Sequence, residues 1–144
     1  GKENNALVSA MDIFPTVLEL AAGKPPCNLD GKSLIPLINN QTQKQHDFLC
    51  WTDGKEAKVI RKGDWKLCMN CQWEHLNYKI VDGKYVRDPN KYAYPGGTQL
   101  FNLKEDIGET VNLADKHPEV VKELKETFDN WRQQMSDPIK TAWY

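Results

Sequence analysis

The chain is poor in the residues that most often carry catalysis. Three histidines and four cysteines are spread over 144 residues, and no Ser-His-Asp or Cys-His arrangement can be built from their spacing alone. Four cysteines are too few for a disulfide scaffold, so they leave the compartment weakly determined. No apolar run approaches the roughly 18 residues needed to span a bilayer. Charge of one sign is also missing: 19 Lys and Arg stand against 20 Asp and Glu. That balance points to neither a nucleic-acid nor a membrane partner. The opening Gly-Lys-Glu-Asn-Asn is neither an initiator Met nor a signal peptide. The N-terminus therefore reads as cut, with any export signal lying upstream.

What is present is the composition of a folded domain. With 40% hydrophobic and 27% charged residues the chain is no disordered tail, and its length suits one domain that buries about two thirds of its extended surface. Residues 1–6 are polar and frayed in character. Ser9 or Asp12 can cap a helix with Pro15 in its first turn, and Phe14, Val17, Leu18 and Ala21 form one apolar stripe before Gly23 stops it. After a Pro-rich connector at 24–28 and a turn at Leu29-Asp30-Gly31, a short helix runs through Leu34, Ile35 and Leu37. Residues 39–45 are polar and mark a boundary, giving a helical segment 1–45 and a second part 46–144. Asn40-Gln41-Thr42 matches a glycosylation sequon, which has meaning only in a secreted eukaryotic protein; as a solvated linker it needs no such role.

From Phe48 the pattern changes to strands. An apolar run at 48–51 ends at Asp53-Gly54. Residues 57–61 face 65–69 across Lys62-Gly63-Asp64, and 77–81 face 85–87 across Asp82-Gly83, the stronger hairpin signal. Leu100, Phe101 and Leu103 end a further buried strand, and Lys104 to Glu109 must turn. Pro118 opens a helix carrying Val121, Leu124, Phe128, Trp131 and Met135 on one face. The expected fold is α+β, an antiparallel sheet of about four strands with a long C-terminal helix packed on it, preceded by an N-terminal helical segment.

Candidate chemistry is thin. Cys68-Met69-Asn70-Cys71 has the spacing of a zinc knuckle or a redox pair. A structural zinc needs two more ligands from Cys27, Cys50, His46 or His75, none of which forms a second knuckle. A redox role needs the first Cys at a helix N-terminus, whereas Cys68 ends a strand. Free thiols or a disulfide remain. His117 is most simply a helix-start residue, and His46 lies in the polar linker. Glu105, Asp106 and Glu109 read as a solvated turn whose side chains cap the backbone. Aromatic rings interleaved with polar groups in loops suit a pyranose face and its hydroxyls, and Trp51, Asp53, Trp73, His75, Tyr92 and Tyr94 meet that description. Packing within a sheet is the alternative for all six.

Three motifs in order carry a resemblance: Ser-Ala-Met-Asp-Ile-Phe-Pro-Thr-Val-Leu-Glu-Leu-Ala-Ala-Gly with Leu-Asp-Gly-Lys-Ser-Leu-Ile-Pro-Leu at 9–23 and 29–37, Val-Ile-Arg-Lys-Gly-Asp-Trp-Lys-Leu at 59–67, and Leu-Phe-Asn-Leu-x-x-Asp-x-Gly-Glu-x-x-Asn-Leu-Ala-x-x-His-Pro-Glu from Leu100. The chain resembles the C-terminal part of the type I, formylglycine-dependent sulfatases of the alkaline phosphatase superfamily, except over residues 70–97. The nucleophile motif Cys/Ser-x-Pro/Ala-x-Arg, the acidic metal-ligand motifs and the catalytic Lys and His segments are not in this sequence.

The resemblance implies a parent enzyme that hydrolyses the sulfate ester of a glycan or an aryl alcohol, periplasmic or secreted, with calcium and formylglycine in an N-terminal catalytic domain outside this chain. It implies that this chain alone is inert, that the first helix packs on the catalytic sheet, and that the turn at 51–55 and the insert at 70–97 line the rim of the substrate pocket. On that ground Ile13, Phe14, Val17 or Leu20 are expected to be partly exposed here. A stand-alone carbohydrate-binding or interaction module, and the C-terminal part of a related phosphodiesterase or phosphonate hydrolase, are the rival readings.

Overall fold

The computed structural model describes residues 3–24, 28–53, 56–71, 78–87 and 97–135. The chain divides into two units, Gly1–Leu49 and Cys50–Tyr144.

The first unit is helical. Ser9, in extended conformation, starts it: its hydroxyl accepts from the Met11 N–H, and its own N–H donates to the Asp12 carboxylate at 2.9 Å. This reciprocal cap leads through a 3-10 turn, Ala10–Asp12, into α1, Ile13–Leu20. Both candidate caps thus act, Ser9 as the cap and Asp12 as its reciprocal partner. The helix ends through Ala22, which takes φ +53, while the Gly23 N–H bonds the Leu18 carbonyl at 2.9 Å. Gly23 is favoured by space, not by φ, since a Cβ there would stand 2.5 Å from Leu18 Cδ1 and force that side chain to shift. A short α2, Ile35–Ile38, follows.

Helix α1 is inverted with respect to solvent. Thr16 is its buried residue, whereas Ile13, Phe14, Val17 and Leu20 are 58, 56, 57 and 71% exposed. The exposure expected for these four is observed.

The second unit holds a four-stranded sheet in the order β1 (Leu49–Thr52), β2 (Lys58–Lys62), β3 (Trp65–Met69), β6 (Thr98–Asn102). The β2–β3 and β3–β6 pairs are antiparallel. Gly63 supplies φ +58 in the tight turn between β2 and β3. Registers Ile60↔Leu67 and Leu67↔Leu100 put three side chains with no solvent exposure in one row across the sheet. Helix α3, Pro118–Gln134, lies on that face: Lys58 Nζ stands 5.8 Å above the Phe128 ring, and Lys62 Nζ bonds Glu123 at 2.6 Å. Leu124 and Phe128 are buried, the inner members of the expected stripe. Side chains alternate along a strand, so the opposite face carries Val59, Cys68 and Phe101, packed with Cys71 and Leu103.

A separate two-stranded sheet pairs β4 (Tyr78–Val81) with β5 (Lys84–Arg87). Its turn has Asp82 at φ +50 and Gly83 at φ +73, the two positive values of a type I′ turn. The fold is α+β, with antiparallel strands and helices segregated along the chain.

The segment from Leu100 to Pro118 closes the sheet by side-chain work. Asn112 Oδ1 accepts from the Leu100 N–H at 3.0 Å and the Leu113 N–H donates to the Leu100 carbonyl at 2.8 Å, so an irregular segment serves the open edge of β6. Asp106 accepts from the N–H groups of Thr110 and Val111 at 2.7 and 2.8 Å, the capping expected of this turn. Glu109 departs from the expected solvated role. At φ +55 it aims back at the sheet, where Lys66 Nζ bonds both its oxygens at 2.6 and 2.8 Å, and both side chains are largely withdrawn from water.

Phe128 is the largest fully buried side chain among the described residues. Phe128→Ala is expected to destabilise the fold by about 3–5 kcal/mol, measured by urea denaturation, whereas the exposed Glu126→Ala is expected to stay within about 0.5 kcal/mol.

Candidate functional site

Of the six candidate sugar-contacting residues, the described structure places two. Trp51 lies on β1, the outer strand of the sheet, and is 46% exposed. Asp53 follows it, and its carboxylate accepts from the Ala57 N–H at 3.1 Å while its own N–H bonds the Ala57 carbonyl at 3.4 Å. That pairing ties the end of β1 to the residue before β2, and Trp51 and Asp53, two positions apart in sequence, are both exposed. Trp73, His75, Tyr92 and Tyr94 lie outside the described residues.

The most constrained polar centre lies in the first unit and was not legible as one. Asp12 is fully buried. Its Oδ1 accepts from the Lys32 N–H at 2.8 Å, its Oδ2 from the Ser9 N–H at 2.9 Å, and His46 Nε2 reaches both oxygens at 2.8 and 2.9 Å. Around it the Thr16 hydroxyl donates to the Asp12 carbonyl and accepts from the Leu34 N–H. Gln45 Nε2 donates to the carbonyls of Lys32 and Ser33, and Lys32 Nζ donates to the Gln45 carbonyl. Gly31 permits the approach, because a Cβ there would fall 2.0 Å from the Met11 carbonyl oxygen.

Two expectations are corrected here. His46 is not a solvated linker residue: its side chain is 8% exposed. Gln45, placed in the polar boundary, is buried. The polar character of 39–45 concealed an inward-facing end because hydrogen bonding to Asp12 and to backbone carbonyls removes the cost of burying these groups. Burial alone would raise the Asp12 pKa, but the backbone donors Lys32 and Ser9 and the His46 contact outweigh it, and the net shift is downward.

The cysteines are not poised for nucleophilic work. The structure joins none of Cys50, Cys68 and Cys71 in a disulfide. Burial pushes Cys50 and Cys68 up to about 12 each, nearby Lys66 offsetting only part of the effect at Cys68. Among the described residues no group of three or more His, Cys, Asp or Glu stands close enough to hold a metal ion, and no helix is long and apolar enough to cross a membrane. A cavity of about 410 Å³ within the first unit is lined by Ala6, Val8, Leu34, Leu37 and Ile38 together with Glu3, Asn4 and Asn40. It contains none of the six candidates.

Residues 1–134 match the family model described as N-sulphoglucosamine sulphohydrolase, C-terminal. Among similar curated proteins, Arylsulfatase K of Rattus norvegicus is 30% identical over 123 residues, covering 83% of this chain and 20% of the relative. Arylsulfatase K of Gallus gallus is 32% identical over 125 residues, covering 83% and 21%. The chain thus spans about a fifth of the length of these relatives. Among solved structures, a 2-O glycosaminoglycan sulfatase shares the fold at TM-score 0.58 and 22% identity, over 85% of this chain and 24% of that one. The phosphonate monoester hydrolase of Agrobacterium radiobacter does so at TM-score 0.53 and 19% identity, over 90% and 25%.

Asp12→Ala leaves the Ser9 and Lys32 N–H groups and His46 without their acceptor and is expected to cost about 3–5 kcal/mol in urea denaturation. The pH dependence has a definite sign. A carboxyl whose folded pKa is depressed stabilises the fold above its unfolded value of 3.8 and loses that contribution as pH falls through the folded value. Stability measured by denaturant titration is expected to drop below about pH 4, with a shallower drop in Asp12→Asn.

Proposed function

The chain belongs to the N-sulphoglucosamine sulphohydrolase C-terminal family, and from that premise we propose that it is the accessory lobe of a sulfatase that hydrolyses a sulfate ester, releasing alcohol and inorganic sulfate. The observation that carries this reading is the match of residues 1–134 to that model by a chain spanning about a fifth of its Arylsulfatase K relatives. In this reading the nucleophile, a formylglycine, and the calcium that offsets sulfate charge reside in the catalytic part of the parent protein. No donor set for such a cation exists among the described residues.

The lobe's contribution is positional. Segment 1–45 docks on the catalytic part through the exposed apolar side of α1, whose four large residues are each more than half exposed. The sheet-bearing segment 46–144 lends the pocket its outer rim: Trp51 and Asp53, with Trp73, His75, Tyr92 and Tyr94, contact substrate. An exposed indole next to a carboxylate fits a sugar ring and its hydroxyls better than a small aryl sulfate, and glycosaminoglycan sulfatase is what one structural neighbour is called. A sulfated glycan is therefore the substrate class we assign, and a periplasmic or secreted location follows from where such glycans are found.

One observation favours a second reading. The phosphonate monoester hydrolase shares the fold at a TM-score of 0.53, so the scaffold is compatible with a phosphorus ester. A self-contained binding module fits poorly, because the first unit leaves its main helix face uncovered.

The full-length protein is expected to release sulfate from a sulfated oligosaccharide, measured by ion chromatography, while the 144-residue chain releases none. Sulfate from the chain itself, or phosphorus-ester cleavage without sulfatase activity in the full-length protein, contradicts the assignment. Trp51→Ala in the full-length protein is expected to raise KM for the oligosaccharide about tenfold, with kcat on a small aryl sulfate unchanged.

A further inference from the structure

We propose that Cys68 and Cys71 are joined by a disulfide in the mature protein, formed during folding by exchange with an external disulfide. Cys68 lies one residue before the end of β3, and Cys71 lies two beyond it. Between them Asn70 takes φ +54 and turns the chain back on itself, and its N–H bonds the Gly97 carbonyl at 2.8 Å, which ties the turn to the segment entering β6. Cys68 and Cys71, on either side of this left-handed residue, share one buried cluster with Phe101, edged by Ala57, Val59 and Leu103.

The surroundings favour the oxidised form. Both thiols are almost fully buried, at 3 and 2% exposure. Cys71 Sγ lies within hydrogen-bond reach of the Cys68 thiol and of the carbonyls of Met69 and Lys58, the last two at 3.6 and 3.7 Å, and a thiol is a weak donor to any of them. A disulfide removes both S–H groups from this apolar pocket. Cys50 is excluded as the partner of Cys68 by topology: β2 lies between their strands, a separation of about 9–10 Å, beyond the roughly 7 Å Cα limit for a bridge.

The same burial sets the timing. At 3 and 2% exposure neither sulfur can be reached by an external disulfide once the fold has closed. Exchange therefore precedes closure of the sheet. One thiolate attacks an external disulfide RSSR, forming a mixed disulfide and expelling RS⁻. The second attacks the protein sulfur of that intermediate and expels the other RS⁻. Two electrons pass to the external disulfide, which leaves as two RSH with the two thiol protons.

The test uses the full-length protein produced by two routes, one through an oxidising secretory compartment and one in a reducing cytosol. Each product is denatured without reductant, treated with iodoacetamide and digested with trypsin. Both cysteines fall in one peptide, Leu-Cys-Met-Asn-Cys-Gln-Trp-Glu-His-Leu-Asn-Tyr-Lys, residues 67–79. From the oxidising route the peptide is expected unalkylated and about 2 Da lighter than its reduced form, two hydrogens having left as the S–S bond formed. From the cytosol it is expected to carry two alkyl groups. Two alkyl groups in both preparations, or a cross-link of either cysteine to the Cys27 or Cys50 peptide, overturns the proposal. The expression route sets the compartment, so the outcome is independent of the sulfatase assignment, and the presence of the bond in the native protein rests on the periplasmic or secreted location proposed above.

Discussion

A carboxylate taken wholly out of water ties together the described segments around Ser9, Lys32 and His46. Asp12 is buried and must find donors, and it finds them in the cap of its own helix, in the chain at Lys32 and in His46. Those three points lie far apart in sequence, so satisfying one side chain pins three segments together. The consequence reaches the rest of α1. With Asp12 and Thr16 turned inward, Ile13, Phe14, Val17 and Leu20 are left outward. Full burial of such a side chain is worth about 1.5–3 kcal/mol. A polar interior and an apolar exterior make this helix the reverse of one in a finished domain, which is the physical basis for reading it as half of an interface.

The second unit is built the ordinary way round. The row Ile60, Leu67 and Leu100 lies on the sheet face that carries α3, where Leu124 and Phe128 are buried, and the other face holds Phe101 and the Cys68–Cys71 pair. The closing motif works as a set of backbone substitutes. Asn112 completes the β6 edge, Asp106 holds the loop amides, and Glu109 anchors the loop to Lys66. Each of these side chains supplies a hydrogen bond that the irregular backbone cannot make for itself. None of them touches substrate in this account; their task is to hold a sheet from which Trp51 projects.

Much of this fold was legible in the sequence because it is governed locally. Gly63 and Asp82-Gly83 announce turns that need positive φ, and the spacing of Leu124 and Phe128 announces the buried face of α3. Ser9 and Asp12 were visible as competing caps, and the structure uses both. What stayed hidden depends on long-range pairing. Nothing around His46 hints that it meets a carboxylate 34 positions away, and a run of polar residues looks solvated until its partners are known. Glu109 misled for the same reason, its partner lying on a strand 43 residues earlier. Of the candidate site, Trp51 and Asp53 have described positions, while the other four fall in segments whose pattern carries no strong period.

Thiol labelling of Val17→Cys, compared between the 144-residue chain and the full-length protein, addresses the accessory-lobe account at its centre. Rapid maleimide modification in the chain alone, and slowing by at least about a hundredfold in the folded full-length protein, is the result this account requires. Equal rates in the two would mean that nothing covers α1, and the chain would then have to be understood as a free-standing module.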